Sequence, residues 1–291
     1  MKKILLKILI LALSMGIAVA EGTNSPPAVP APGTNQLNIV YGEAAGQKLL
    51  LDAHIPEGAG KFPIAILVHG GGWMSGDREH EFYELFDALS RANFTWFTIE
   101  YRMAPTNRWP ACFEDEQAAI RWVKQHGGEF KGDTHRIALI GYSSGGHLVT
   151  LAGTTAGEDT RVQAIVGVSP PTDLVSDNLR RGGLTISMRS LFGFDSTNID
   201  GPVIEVLKEY SPLTYVKPGL PPFLLIQGSA DRTVPHTQSE AFQAALLKAG
   251  DTCDFITITN AQHRIADWEK FDPDWQSKVI AWLQQKLPST K

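Results

Sequence analysis

Residues 136–152, RIALIGYSSGGHLVTLA, run from an apolar strand (Ile137 to Ile140) through the pentapeptide Gly141-Tyr142-Ser143-Ser144-Gly145 into a helical stretch. A serine set on a sharp strand-to-helix turn is exposed at the end of a sheet, and small residues on either side let the backbone pack that tightly. The helix N-terminus behind it also favours negative charge developing nearby. The segment therefore predicts a nucleophilic Ser143 and a sheet whose strands alternate with helices.

The rest of the chain fits such a sheet. Strands are expected at 37–41, 48–55, 62–68, 94–99, 136–140, 162–168, 223–226 and 254–258. Helices are expected at 79–90, 111–125, from 146, and at 237–248, where Gly250 supplies a C-terminal stop. In a final helix, Asp272 is expected as cap, Pro273 in first position, and Trp275, Val279 and Leu283 along one face. Continuous apolar strands separated by helices predict an α/β domain with a mostly parallel sheet covered on both faces. Residues 172–219 are too long for a plain crossover, so they are expected to carry helices and form a small cap insertion over the strand ends.

A nucleophilic serine needs a base, and the base needs an orienting acid; on such a sheet the chain order is Ser, Asp or Glu, then His. Of the eight histidines, His54, His69, His80, His126, His135 and His147 lie in early strands, the glycine loop, polar surface stretches or the helix after the serine. His236 opens a helix. His263 follows the last strand and is the expected base. Asp231, just after the strand beginning at Phe223, is the expected acid; Asp267 is its rival. His69-Gly70-Gly71-Gly72-Trp73 also ends a strand. Consecutive glycines free backbone N–H groups, as an oxyanion hole requires. Gly71, Gly72 and Ser144 are the expected donors, His69 a structural hydrogen-bonder and Trp73 a substrate-binding residue at the pocket rim. Arg102 is expected in a buried ion pair. No His-Glu-x-x-His or similar zinc spacing occurs, so no metal site is expected.

Composition sets the outer bounds. The chain has 291 residues, 43% hydrophobic and 20% charged, which suits one large globular domain at 36–291. Lys2, Lys3 and Lys7, an apolar run and Ala18-Val19-Ala20 read as a secretory signal peptide over 1–20, with a flexible Pro/Gly/Ser leader over 21–35. The expected location is periplasmic or extracellular. Without the three lysines the formal net charge moves from −5 to −8. That balance argues against nucleic acid and against stable membrane association after signal removal. Cys112 and Cys253 are expected as separate buried thiols, although export would allow a disulfide.

His69-Gly70-Gly71-Gly72-Trp73, Tyr101-Arg102-x-Ala104-Pro105, Gly141-x-Ser143-x-Gly145 and Gly228-x-x-Asp231-x-x-Val234-Pro235 occur in that order. Together they resemble the α/β-hydrolase superfamily, and more closely its hormone-sensitive-lipase-like and feruloyl-esterase-type (BD-FAE-like) carboxylesterases, from about Leu37 to Leu287. The resemblance implies an eight-stranded sheet, a serine-esterase triad and no cofactor. One departure is Arg264-Ile265 after the histidine, where such enzymes commonly have glycine and an aromatic. The family also holds amide hydrolases and exported relatives that remove acetyl or feruloyl groups from xylan. The expected activity is hydrolysis of a small-molecule or carbohydrate ester. An amidase or peptidase with the same triad, and a non-catalytic binding protein on the same fold, are the alternatives.

Overall fold

Apolar residues along the central strands divide between two cores. In β3 (Phe62–Val68) Ile64, Ile66 and Val68 join one core, while Ala65 and Leu67 join the other. Ile137 and Leu139 against Ala138 and Ile140 in β5 (Gly132–Tyr142), and Phe223 and Leu225 against Leu224 and Ile226 in β7 (Phe223–Gly228), repeat the division. Side chains alternate faces along a strand, so a sheet covered on both sides needs an unbroken apolar run. The computed structural model describes residues 31–289. The expected signal peptide (1–20) and most of the expected leader lie outside the described residues.

The sheet also contains β1 (Thr34–Ala44), β2 (Gln47–Ile55), β4 (Thr95–Ile99), β6 (Ala164–Val168) and β8 (Cys253–Ile258), in the order β1-β2-β4-β3-β5-β6-β7-β8. The pairs β1–β2 and β2–β4 are antiparallel; every pair from β4–β3 to β7–β8 is parallel. Strand order reverses between β3 and β5, and the crevice beyond the carboxyl ends at such a switch point is where open α/β sheets bind ligands. Helices α1 (Phe86–Arg91), α2 (Ala111–His126), α3 (Ser144–Thr155), α7 (His236–Ala249) and α8 (Trp275–Lys286) connect and follow the strands.

Several boundaries differ from those expected, each for a local reason. β1 begins at Thr34, so two residues assigned to the leader pair with β2, and Asn35 meets His54 Nδ1 at 2.8 Å. The helix expected over 79–90 begins only at Phe86, after a 3-10 turn at Tyr83–Leu85. Asp77 takes the N–H groups of Glu79 and His80, turning the chain there, and Arg78 is drawn inward to Asp52. The last helix begins at Trp275 rather than Pro273, because the Asp272 carboxylate and carbonyl hold Asp274 and Trp275 in a preceding turn.

The expected insertion after β6 carries three helices: α4 (Leu174–Arg180), α5 (Ile186–Phe192) and α6 (Gly201–Glu209). Asp173, Thr185 and Asp200 cap them through side-chain bonds to backbone N–H groups. The two ends of the insertion meet: Leu213 N donates to Thr172 O at 3.0 Å.

Candidate active site

Ser143 sits between β5 and α3 with φ +54° and ψ −115°, a conformation that costs a non-glycine residue about 1–3 kcal/mol. The flanking glycines allow it. A Cβ on Gly141 would lie 2.2 Å from Gly145 O, and one on Gly145 would lie 2.2 Å from Val68 O and 2.4 Å from His69 O. Ser143 N donates to Val168 O at 2.8 Å, tying the turn to the neighbouring strand.

His263 Nε2 lies 2.9 Å from Ser143 Oγ, and its Nδ1 lies 2.7 Å from Asp231 Oδ2. A carboxylate only accepts, so Nδ1 carries the proton and Nε2 is left to accept from the hydroxyl. Asp231 has a fully buried side chain. Its other oxygen accepts from Thr233 N and Val234 N, both at 2.9 Å. It is thus a turn former as well as the partner of the imidazole. Asp267 stands apart, paired with Lys270 and Arg264.

The loop bearing His263 is held on several sides. Ala230 N donates to Ala261 O at 3.0 Å, and Trp268 Nε1 to Gln262 O at 2.8 Å. Tyr142 Oη donates to His263 O at 3.0 Å, and the two rings stack 5.3 Å apart. Tyr142 was not singled out from sequence; its place beside the serine, as an aromatic in the variable position of the pentapeptide, was the available signal.

Gly71 (φ +112°) and Gly72 (φ +63°) turn the loop after β3. At Gly71 a Cβ would fall 1.9 Å from Ser75 O, so only glycine fits. The Gly71 carbonyl closes the loop by accepting from Met74 N and Ser75 N. Among the described residues neither the Gly71 nor the Gly72 N–H has a hydrogen-bond acceptor. Ser144 opens α3, where N–H groups lack intrahelical partners. These donors belong to adjacent strand ends, since Val68 pairs with Gly141.

Gly72, Trp73, Ser143 and Ser144 share a cavity of about 140 Å³ with residues of the insertion, including Leu174, Asp177, Asn178, Arg181 and Met188. The expected cap therefore walls the site. Trp73 is 5% exposed and forms part of the wall rather than the rim. Arg181, Asp177 and Asn178 were missed from sequence.

The remaining histidines near the site are structural. His69 Nδ1 donates to Gly70 O at 2.7 Å, and its ring stacks on Tyr101 at 4.3 Å. His147 Nε2 donates to Tyr210 O at 2.7 Å, joining α3 to the insertion. Burial lowers both pKa values to about 4, so both rings are neutral. Arg102 makes the expected pair with Asp115, bonding both carboxylate oxygens. Cys112 and Cys253 are separate buried thiols, and burial pushes Cys253 up to about 12.

Comparison with known proteins gives similar proteins over most of the described region. Esterase LipC of Mycobacterium tuberculosis is 34% identical over 191 residues, covering 62% of this chain and 47% of that protein. Esterase LipQ of the same organism is 30% identical over 261 residues, covering 84% and 61%. The chain thus spans about half to three-fifths of the length of these relatives. A truncated carbohydrate esterase from gut microbiota has a similar structure, with TM-score 0.77, 23% identity, and 90% of this chain and 99% of that one covered. An acetyl ester-xyloside bifunctional hydrolase from Caldicellulosiruptor lactoaceticus follows at TM-score 0.71, 24% identity, and 89% and 98% coverage. The fold shared with these structures is that of the α/β hydrolases. The BD-FAE family model matches residues 51–246, a stretch that takes in the glycine loop, Ser143 and Asp231, and the chain belongs to that family.

Proposed function

We propose that the protein is a carboxylic ester hydrolase that cleaves short-chain esters through Ser143, His263 and Asp231 by way of an acyl-enzyme. The observation that carries this reading is the unbroken hydrogen-bond chain from Ser143 Oγ through the imidazole to Asp231, at 2.9 and 2.7 Å. Ser143 Oγ attacks the ester carbonyl while His263 Nε2 takes its proton. The carbonyl electrons move onto oxygen, where the N–H groups of Gly71, Gly72 and Ser144 receive them. Collapse expels the alkoxide, which leaves with the proton from Nε2. Water repeats the sequence on the acyl-enzyme, releasing the acid. Asp231 fixes the Nδ1–H tautomer and stabilises the imidazolium.

The esterase names of the similar proteins support the reaction class, and the carbohydrate and acetyl-xyloside enzymes support an ester on carbohydrate. A cavity of about 140 Å³ is close to that of engineered cavities of about 150 Å³, which hold benzene. It suits an acetyl to butyryl group better than a feruloyl group. Residues 1–20 further support export, which N-terminal sequencing of the mature protein, starting at Glu21, would test.

The decisive experiment is labelling with a fluorophosphonate and turnover of p-nitrophenyl esters of two to sixteen carbons. Wild-type protein is expected to be labelled and to peak at two to four carbons; Ser143→Ala is expected to lose labelling and about a thousandfold or more in kcat. Near-normal turnover by folded Ser143→Ala would refute the mechanism, and a peak at twelve carbons or longer would refute the short-chain preference.

A further inference from the structure

At the insertion wall of the cavity, one carboxylate is shared by two guanidinium groups. Arg180 Nη2 lies 2.7 Å from Asp177 Oδ1, and Arg181 Nε lies 2.8 Å from Asp177 Oδ2. One negative charge meets two positive ones, leaving a surplus of one. Arg180 is the more exposed partner and lies outside the cavity lining; Asp177 and Arg181 both line it.

Arg181 is also fixed at its far end. Its Nη2 donates to Thr233 O, two residues past Asp231. The guanidinium therefore spans from the end of α4 to the loop that carries the acid, with its orientation set at both ends. Arginine has five N–H donors; these two bonds leave three without an acceptor among the described residues. The side chain is 28% exposed, so those donors are open to a ligand.

Nothing else in the cavity offsets this charge. Among the described residues that line the cavity, Asp177 is the only acid; Asp231, two residues before Thr233, faces His263 and two backbone N–H groups. The other polar lining side chains are neutral, among them Thr185, Ser187 and Thr233. Arg232, exposed on the same loop, makes no ion pair among the described residues and adds charge of the same sign. This local surplus stands against a chain of net charge −5. A planar, fixed fork of donors with uncompensated positive charge matches a carboxylate in both geometry and sign.

We propose that Arg181 is a specificity-determining residue that binds a carboxylate carried by the substrate, so that the preferred esters are anionic. This deepens the ester-hydrolase reading and rests on it. The carboxylate could belong to the acid half, as in a half-ester of a dicarboxylic acid, or to the alcohol half, as in an acylated hydroxy acid. Ser143 and Arg181 line the same cavity, whose size suits a group of about six heavy atoms.

The test uses matched neutral and anionic esters with the full chain at low ionic strength: ethyl butyrate against monoethyl succinate for the acid half, and isopropyl acetate against O-acetyl-lactate for the alcohol half. The anionic member of at least one pair is expected to lead about tenfold in kcat/KM, mainly through KM, and to lose that lead toward 1 M salt. Arg181→Gln should abolish the lead. Arg180→Gln, which removes the surplus charge and leaves both Arg181 bonds intact, should reduce it severalfold.

A neutral preference in both pairs would overturn the proposal, as would an anionic preference that survives both substitutions. Calorimetric titration of Ser143→Ala with succinate separates the two levels of the reading. Arg181-dependent binding without turnover of any ester by the wild type would sink the hydrolase reading and keep the anion site. Turnover of neutral esters with neither anionic preference nor succinate binding would do the reverse.

Discussion

Gly228→Ala should disable the protein without touching Ser143, His263 or Asp231. Gly228 ends β7, where the loop carrying Asp231 lies against the loop carrying His263. A Cβ there would fall 2.3 Å from Ala261 O, 2.7 Å from Ala261 C and 2.9 Å from Gln262 O. All three are backbone atoms, so no side chain can swing aside. Ordinary contact begins near 3.4 Å, so the two loops must part by about 1 Å. The triad bonds are 2.7 and 2.9 Å, and lengthening either by about 1 Å takes it out of hydrogen-bond range. A misplacement of this size costs about a hundredfold in rate. Overpacking itself costs about 1–3 kcal/mol, which a domain of this size can absorb with a Tm loss of several degrees. The assay is kcat for p-nitrophenyl acetate beside a thermal melt, with Gly128→Ala as control, since a Cβ there meets nothing within 4 Å. A folded Gly228→Ala protein that turns over close to the wild-type rate would refute the argument.

Other outcomes follow from the same geometry. Asp231→Asn should cost about ten-thousandfold in kcat, whereas Asp267→Asn, which breaks surface pairs, should stay near wild type; the reverse order in folded proteins would move the acid assignment. Glu116 on α2 is fully buried with neither oxygen bonded, and desolvation holds its carboxyl well above the usual range. The folded state keeps that proton while the unfolded chain releases it, so stability is lost as pH rises above the unfolded carboxylate value. Glu116→Met should therefore stabilise the fold more at pH 7 than at pH 4.5, the difference growing by at most about 1.4 kcal/mol per pH unit between them and read as a larger rise in Tm; an equal gain at both would count against it. His69 and His147 are pushed the other way, to about 4, so the unfolded chain takes up protons first as pH falls from about 6.5 toward 4. Tm should drop across that window, and His147→Gln, whose amide can still donate to Tyr210 O, should flatten the drop; an unchanged slope would exclude His147 as a contributor.

The parts of the site that sequence exposes are those whose chemistry demands a residue type at the end of a strand. Gly141 and Gly145 stand out because no side chain fits at either place, and Asp231 and His263 because each follows a strand in the required order. What stays hidden depends on distant partners. Tyr142 reaches the backbone of a residue 121 positions away, and Arg181 reaches one 52 positions away. Neither relation leaves a local pattern. The late starts of α1 and α8 have a similar origin: Asp77 and Asp272 use their side chains to hold turns that a helical pattern of apolar residues does not reveal. Glu116 lies within a helix like any solvent-facing glutamate, and only its complete burial, near enough to Tyr41, Tyr101 and Cys112 for its charge to act on them, makes it unusual.

The bond between Leu213 N and Thr172 O closes the insertion on itself. Its two ends leave the sheet side by side, while β6 and β7 keep their register beneath it. A segment joined to the sheet at one place can change length between its ends without shifting the strands beneath, provided that its cross-ties are kept: His147 to Tyr210 O, and Arg181 to Thr233 O. Selectivity and bond cleavage can then be inherited separately, and grafting another protein's 172–213 equivalent onto this sheet is the direct engineering route to a new substrate range.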